Sequence, residues 1–171
     1  RLKDVKHICA SDGAFAAILE DGSVVCWGEA EFGGDCEAVQ PQLREVQRLF
    51  ATSCAFAALR ADDTVVTWGA ATHGGASRRL RTQLRDVRSI TPNLSAFAAL
   101  RGDGTVVTWG DCYAGGNSSR VQSKLQNVRQ IQATDKAFAA IVGNGEVVAW
   151  GHPDYGGDCS SVQDMLRQRL T

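Results

Sequence analysis

The apolar positions of this chain recur every 41 residues, without an insertion or deletion to break the register. Leucines in the polar segments and paired glycines keep the same step. Self-similarity at a fixed period of this length is typical of solenoids, propellers and other arrays. The pattern divides a single array, residues 1–171, into four repeats: 5–45, 46–86, 87–127 and 128–168.

Each repeat predicts three short strands. In the second repeat these are Val46–Ala51, Ala55–Leu59 and Thr64–Gly69, which are rich in residues that favour strands. Asp-Gly or Asn-Gly joins the last two strands in three repeats and predicts a tight hairpin. The second repeat has Asp62 and Asp63 there, so we expect a more strained turn. We expect one or two helical turns in the connectors, limited by Pro41 in the first.

The second strand of each repeat is apolar on both faces, as in Ala14–Ile18. Such a strand must be covered on both faces, which stacked or radially packed sheets achieve. We therefore expect the large aromatic side chains to pack in the core in the same way in every repeat. The expected core residues are Trp27, Trp68, Trp109, Trp150, Phe15, Phe56, Phe97 and Phe138.

The run Ala96–Leu100, the segment Asp103–Gly110 and the pair Gly115-Gly116 carry a resemblance to a known family. The pattern Ala-Phe-Ala-Ala-Leu, Asp-Gly-Thr-Val-Val-Thr-Trp-Gly, Gly-Gly resembles the repeat of the regulator-of-chromosome-condensation family. The short step is similar to that of the type-II β-lactamase inhibitory proteins, and HERC-type ubiquitin ligases carry related repeats. The resemblance implies an all-β fold, in which the four repeats form three-stranded blades of a partial or small β-propeller.

The family usually has seven blades, and the 171 residues here hold only four repeats. Three interpretations stay open. The chain is part of a longer array, closes as a four-bladed ring, or forms an open arc that docks on a partner or on another copy.

Charge and composition restrict the kinds of partner that we expect. The net charge of −1 argues against nucleic acid as a partner, and the chain has no apolar run long enough to span a membrane. The residues Arg1–Lys6 are too polar for a secretory signal.

The six cysteines do not follow the repeat as a disulfide framework would, which favours free thiols in a reducing intracellular compartment. Without a Cys-x-x-Cys pair, we expect no metal site, and no motif indicates a cofactor.

The loops after each Trp-Gly vary while the surrounding pattern is fixed, and three of them carry an aromatic residue. Repeat proteins commonly bind partners through such equivalent loops, and aromatic side chains are enriched at binding hot spots. The candidate partner-binding residues are Glu29, Glu31, Phe32, Thr72, His73, Asp111, Tyr113, His152, Asp154 and Tyr155. No nucleophile motif accompanies the histidines, so we expect no enzyme activity and no catalytic residues.

Charge is uneven along the array. The first repeat has two basic residues against eight acidic ones, and the second has six arginines against three aspartates. Four of those arginines form a candidate basic docking patch for an acidic partner: Arg78, Arg79, Arg81 and Arg85. The alternative is that they are only the solvated face of a connector.

The function expected is a non-catalytic protein–protein interaction module, as an accessory or scaffold subunit of a larger assembly. The family resemblance also implies two alternatives. One is a guanine-nucleotide exchange or ubiquitin-ligase regulatory repeat domain. The other is a propeller that inhibits an enzyme.

Overall fold

The computed structural model describes residues 4–167, and in this range it is built from four three-stranded antiparallel sheets, here called blades one to four. Blade one contains β1 (Val5–Ala10), β2 (Ala14–Leu19) and β3 (Val24–Gly28). Blade two contains β4 (Val46–Ala51), β5 (Ala55–Arg60) and β6 (Val65–Gly69). Blade three contains β7 (Val87–Pro92), β8 (Ala96–Arg101) and β9 (Val106–Gly110). Blade four contains β10 (Gln130–Ala133), β11 (Ala137–Ile141) and β12 (Val147–Gly151). The predicted all-β fold with three strands per repeat is confirmed.

The turn between the second and third strands needs left-handed backbone. Glycine supplies it in three blades, for example Gly104 at φ 79°. In blade two Asp63 adopts φ 61°, a conformation that costs a residue with a Cβ more than it costs glycine. The strain expected at Asp62-Asp63 is therefore present.

The connector that follows each blade is a short 3₁₀ helix. These helices span Glu37–Gln42, Arg78–Leu80, Gln122–Lys124 and Ser160–Val162, and the last runs into α1 (Gln163–Arg167). The expectation that Pro41 limits the first connector is wrong, because that 3₁₀ helix is the longest and contains Pro41. The φ that proline imposes is compatible with a 3₁₀ turn.

The core lies in the junctions between neighbouring blades. Each phenylalanine stacks on the tryptophan of its own blade, with ring centroids 5.1–5.4 Å apart. At each of the three internal junctions the tryptophan Nε1 donates to a glycine carbonyl of the preceding blade. These bonds run from Trp68 to Gly33 (3.0 Å), from Trp109 to Gly74 (3.1 Å) and from Trp150 to Gly115 (3.1 Å).

Blade one departs from this arrangement. Phe15 and Trp27 were expected in the core, but 45% and 37% of their surfaces are exposed. The corresponding Phe56 and Trp68 are 0% and 4% exposed, because blade one covers them. Periodicity predicts one environment for all four repeats, whereas among residues 4–167 no blade covers the first one.

Within residues 4–167, three hydrophobic clusters form the junctions of blades one with two, two with three, and three with four. None of these clusters joins blade four to blade one. None of the helices in that range has the length and apolarity to cross a bilayer.

Candidate interaction surface

The strand order sets which loops share a face. Because each blade is antiparallel, the end of its third strand lies beside the loop that joins its first two strands. The loops after Trp-Gly and the loops of residues 11–13, 52–54, 93–95 and 134–136 therefore lie at the same edge of the blades. We call this surface the loop face. The hairpin turns, such as Asp103-Gly104, lie at the opposite edge.

Each loop after Trp-Gly is one turn of 3₁₀ helix: Ala30–Phe32, Ala71–His73, Cys112–Ala114 and Pro153–Tyr155. A glycine in left-handed conformation ends each turn, with φ between 90° and 95°. Two of the candidate residues cap their own turn. Asp111 Oδ1 accepts from the Tyr113 N–H at 2.9 Å, and His152 Nδ1 accepts from the Asp154 N–H at 3.3 Å. The backbone of these loops is thus held in a fixed conformation.

A second set of polar residues ties each turn to its blade, and sequence reasoning missed them. Ser11 Oγ, Thr52 Oγ1, Asn93 Nδ2 and Thr134 Oγ1 each donate to the last carbonyl of the turn 21 residues later, at 2.7–2.9 Å. The signal was present in the sequence as a short polar residue at the same position of every repeat. It went unrecognised because the residue type changes from repeat to repeat.

The first two loops of the face enclose a cleft of about 350 Å³. Four candidate residues line it, together with Cys54: Glu31, Phe32, Thr72 and His73. Thr72 Oγ1 lies 2.9 Å from His73 Nδ1, so the imidazole orientation is fixed by its neighbour. Burial raises the pKa of the Cys54 thiol, and the negative charges of Asp12 and Glu31 raise it further. Cys54 is therefore a neutral, weakly polar group at the edge of an acidic cleft.

The other candidate residues lie in separate positions along the loop face. Glu29 is exposed beside the cleft, and Tyr113, at 77%, is the most exposed large apolar side chain in the part of the chain that the structure describes. In blade four the ring of Tyr155 packs edge-on against His152, with centroids 5.2 Å apart, and Lys136 Nζ lies 5.2 Å from its centroid. His152 Nδ1 also lies 4.0 Å from the Asp154 carboxylate. The structure thus brings together the residues of loops one and two, and separately those of loop four.

The candidate basic patch is a different surface. All four arginines are exposed, and none of them pairs with a carboxylate among residues 4–167. Arg78 and Arg81 line a groove of about 420 Å³ beside β6, with Ala38 and Val39 of the preceding connector. None of the residues of the loop-face cleft lines this groove. A partner on the loop face and a partner on the basic patch would therefore contact different parts of the molecule.

Among residues 4–167, no cluster of three or more His, Cys, Asp or Glu side chains is arranged to hold a metal ion. All six cysteines are free thiols.

Known protein-family models do not match this chain, and neither do curated protein sequences. Solved structures do. Prp20 (RCC1) of yeast, bound to Kap60, superposes with a TM-score of 0.62 at 19% identity, covering 86% of this chain and 43% of Prp20. A structure of Saccharomyces cerevisiae Prp20p, reported with its binding properties to Gsp1p and histones, gives 0.62 at 18% identity over 86% of this chain and 44% of that one. The ectodomain of the Physcomitrella patens receptor kinase CR4 gives 0.57 at 22% identity, over 86% and 41%.

The chain therefore has an RCC1-like propeller repeat fold, as its sequence predicts. It spans less than half the length of these solved structures. The narrower likeness to the type-II β-lactamase inhibitory proteins and the HERC-type repeats stays a prediction.

Proposed function

We propose that this chain is a protein-interaction module that binds a protein partner through its loop face, as an accessory or scaffold subunit of a larger assembly. One contrast supports the proposal. The stacked Phe–Trp pairs and the glycines of Trp-Gly and Gly-Gly are identical in all four repeats, while the four residues between Trp-Gly and Gly-Gly form a different sequence in each. A set of different side chains on loops of the same backbone conformation is what a specific interface requires.

The charges of the loop face indicate the chemistry of the partner. The cleft of blade one has acidic side chains around it, from Asp12, Glu29 and Glu31, and Phe32 supplies an apolar wall. Tyr113 projects from blade three with most of its surface free. This arrangement favours a partner with basic residues opposite blade one and an apolar pocket opposite Tyr113.

The test compares two variants of the whole chain in affinity capture followed by quantitative mass spectrometry. The loop variant carries Glu31→Lys and Tyr113→Ser, and the rim variant carries Arg78→Ala and Arg79→Ala. We expect the unaltered chain and the rim variant to capture the same partner protein. The loop variant should capture at least tenfold less of it. If the loop variant still captures the partner and the rim variant does not, the basic patch is the binding surface instead.

A second candidate function is guanine-nucleotide exchange on a small GTPase. The likeness to Prp20p, whose binding to Gsp1p has been studied, is the observation that favours it. Because the likeness is one of fold, the assay must be direct: release of a fluorescent nucleotide from a Ran-type GTPase with and without the chain. Acceleration would establish exchange, and an unchanged release rate would remove this candidate.

A further inference from the structure

One connector position of blade two departs from the repeat and leaves the edge of this blade open. In blade one the Gln40 Nε2 donates to the Val24 carbonyl of β3 at 2.9 Å. In blade three the Gln122 Nε2 donates to the Val106 carbonyl of β9 at 3.0 Å. The same position of blade two is Arg81, and its guanidinium makes no hydrogen bond or ion pair with residues 4–167. Blade two therefore lacks the bond that ties the connector to the edge strand in blades one and three.

The edge strand β6 consequently has unpaired backbone groups. The Arg60 N–H donates to the Thr64 carbonyl at 3.0 Å, in the register that joins β5 to β6. Because antiparallel strands alternate between residues that exchange such bonds and residues that do not, Val65 turns its N–H and its carbonyl away from β5. Within the described range neither group has a hydrogen-bond partner. The Val65 side chain is also partly exposed, whereas Val24 and Val106 are 0% and 2% exposed. Such an edge is a template for an added strand.

The Val65 end of β6 opens into the groove beside this strand. The groove has a volume of about 420 Å³ and is lined by Ala38 and Val39 of the connector before it and by Arg78 and Arg81 of the connector after it. At the opposite end of β6 the returning connector already lies against the strand. The open space therefore suits a short extended segment.

The charges at this groove favour an acidic occupant. None of the side chains that line it is acidic, and both of its arginines are exposed. The carboxylates of the adjacent hairpin turn are already engaged, since Asp62 lies 3.1 Å from the Arg60 guanidinium and Asp63 lies 3.7 Å from that of Arg88. Arginine binds a carboxylate through two parallel hydrogen bonds, which makes an unpaired arginine a specific acceptor site for acidic side chains.

Blade three provides the matched comparison. Its groove has a volume of about 410 Å³ and is lined by the same positions of the repeat, but Ser119 and Gln122 stand in place of the two arginines. No side chain that lines it is charged. The positive charge and the untied edge strand are therefore what distinguish the groove of blade two from that of blade three.

We propose that the groove of blade two binds an extended acidic segment of a partner protein, which adds as a strand at the Val65 end of β6 and places its carboxylates on Arg78 and Arg81. The Val65 N–H donates to a carbonyl of the segment, and the Val65 carbonyl accepts from one of its N–H groups. In strand addition the main-chain hydrogen bonds give affinity and the side-chain contacts give specificity. This surface is distinct from the loop face, so the inference does not depend on the proposed function.

The experiment measures fluorescence anisotropy of a short fluorescein-labelled peptide of alternating glutamate and valine, titrated with the whole chain. One matched peptide carries glutamine in place of glutamate, and another carries methyl groups on its backbone nitrogens. We expect the acidic peptide to bind and both matched peptides to bind at least tenfold more weakly. Absence of binding at millimolar concentration would overturn the inference. Equal binding of the glutamine peptide would overturn the acidic partner, and equal binding of the methylated peptide would overturn strand addition.

Two variants separate the groove from the overall charge. Arg81→Gln restores the residue that ties the edge in blades one and three, so the blade should fold and the peptide should bind at least tenfold more weakly. Arg85→Gln removes the same charge from a residue that does not line the groove, and binding should stay within twofold of the unaltered chain. Unchanged binding by Arg81→Gln, or an equal loss in both variants, would overturn the assignment to this groove.

Blade three allows the reverse test. Ser119→Arg combined with Gln122→Arg transfers both arginines to its groove and removes the tie to the Val106 carbonyl, so the chain should bind two peptides instead of one. Hydrogen exchange at the Val65 amide should slow at least fivefold when the peptide binds to the unaltered chain. A single site in the double variant would overturn the role of these two positions, and an unprotected Val65 amide would overturn the strand pairing.

Discussion

Thr67 and Ser77 of blade two have their hydroxyl oxygens 2.8 Å apart, where the connector returns past the third strand. Thr108 and Ser118 repeat the contact in blade three at 3.0 Å. The same two positions of blade one are Cys26 and Cys36. A hydrogen bond from the Cys26 thiol lowers the pKa of Cys36, and the same contact with burial raises the pKa of Cys26.

We therefore expect Cys26 and Cys36 to form a disulfide with oxidised glutathione. The Cys36 thiolate attacks the glutathione disulfide and releases one glutathione thiolate. The Cys26 thiol then loses its proton, attacks the mixed disulfide and releases the second glutathione. Peptide mapping should find the 26–36 link, and Cys26→Ser should stop the reaction at glutathionylated Cys36. Recovery of both thiols unmodified, with glutathione only on the exposed Cys112, would contradict this prediction.

Repetition explains why so much of the fold was predictable. The segments Val46–Ala51 and Ala55–Leu59 were read from the sequence within one residue of β4 and β5. The predictions failed where equivalent positions of the repeats differ in their surroundings or in their residue type. Phe15 and Phe56 are the same residue in the same pattern, and only the position of a blade in the array exposes one and buries the other. The tie from Asn93 to Ala114 escaped notice because serine and threonine perform the same task elsewhere.

Gly74 and Gly156 form a matched pair for measuring junction packing. Both have left-handed backbone, at φ 95° and 92°, so alanine strains both alike. A Cβ at Gly74 would lie 2.6 Å from the ring of Phe97, whereas one at Gly156 meets nothing. Gly74→Ala should therefore cost about 1–3 kcal/mol more of unfolding free energy than Gly156→Ala. Equal values by urea denaturation would show that the junction relaxes freely.

Trp109 and Trp27 differ in their hydrogen bonds. Trp109→Phe removes the indole N–H that reaches the Gly74 carbonyl at 3.1 Å and leaves that buried acceptor unsatisfied. We expect it to lower the free energy of unfolding by about 1–3 kcal/mol. Trp27→Phe removes no comparable indole hydrogen bond among residues 4–167 and should have a much smaller effect. A similar loss for both variants would mean that ring volume, rather than the hydrogen bond, sets the cost.

Hydrogen bonds at the hairpin turns predict an acid dependence of stability. The Thr105 hydroxyl and N–H both donate to Asp103 Oδ1, at 2.6 and 3.0 Å, and they lower the pKa of this carboxyl. The stabilisation is present above the pKa of the unfolded chain, about 3.9, and is lost as pH falls through the lower folded pKa.

Asp103→Asn keeps the acceptor and removes the titration, so the variant should lose less thermal stability between about pH 4 and pH 2 than the unaltered chain. The exposed Glu29→Gln on the loop face, which has no such pair of donors, is the control. If thermal stability falls with pH as steeply in Asp103→Asn as in the unaltered chain, Asp103 is not the source of the acid dependence.

The loop face depends on residues that hold its loops in place, and Asn93 is the clearest of them. Its Oδ1 accepts from the N–H groups of Ser95 and Ala96 at 3.0 and 2.8 Å, while Nδ2 holds the Ala114 carbonyl at 2.7 Å. Asn93→Ala breaks all three bonds in a half-buried site. We expect a loss of about 1–3 kcal/mol of unfolding free energy and faster hydrogen exchange at the amides of residues 113–116.

Asn144→Ala is the matched control, because Asn144 accepts from the Glu146 N–H at 3.0 Å in a turn at the opposite edge of the blades. It should leave exchange at residues 113–116 unchanged. If Asn93→Ala also weakens capture of the partner that Tyr113→Ser weakens, the rigidity of this loop is part of recognition. If capture is unaffected while exchange rises, Tyr113 binds without being held in place, and the anchoring residues serve stability alone.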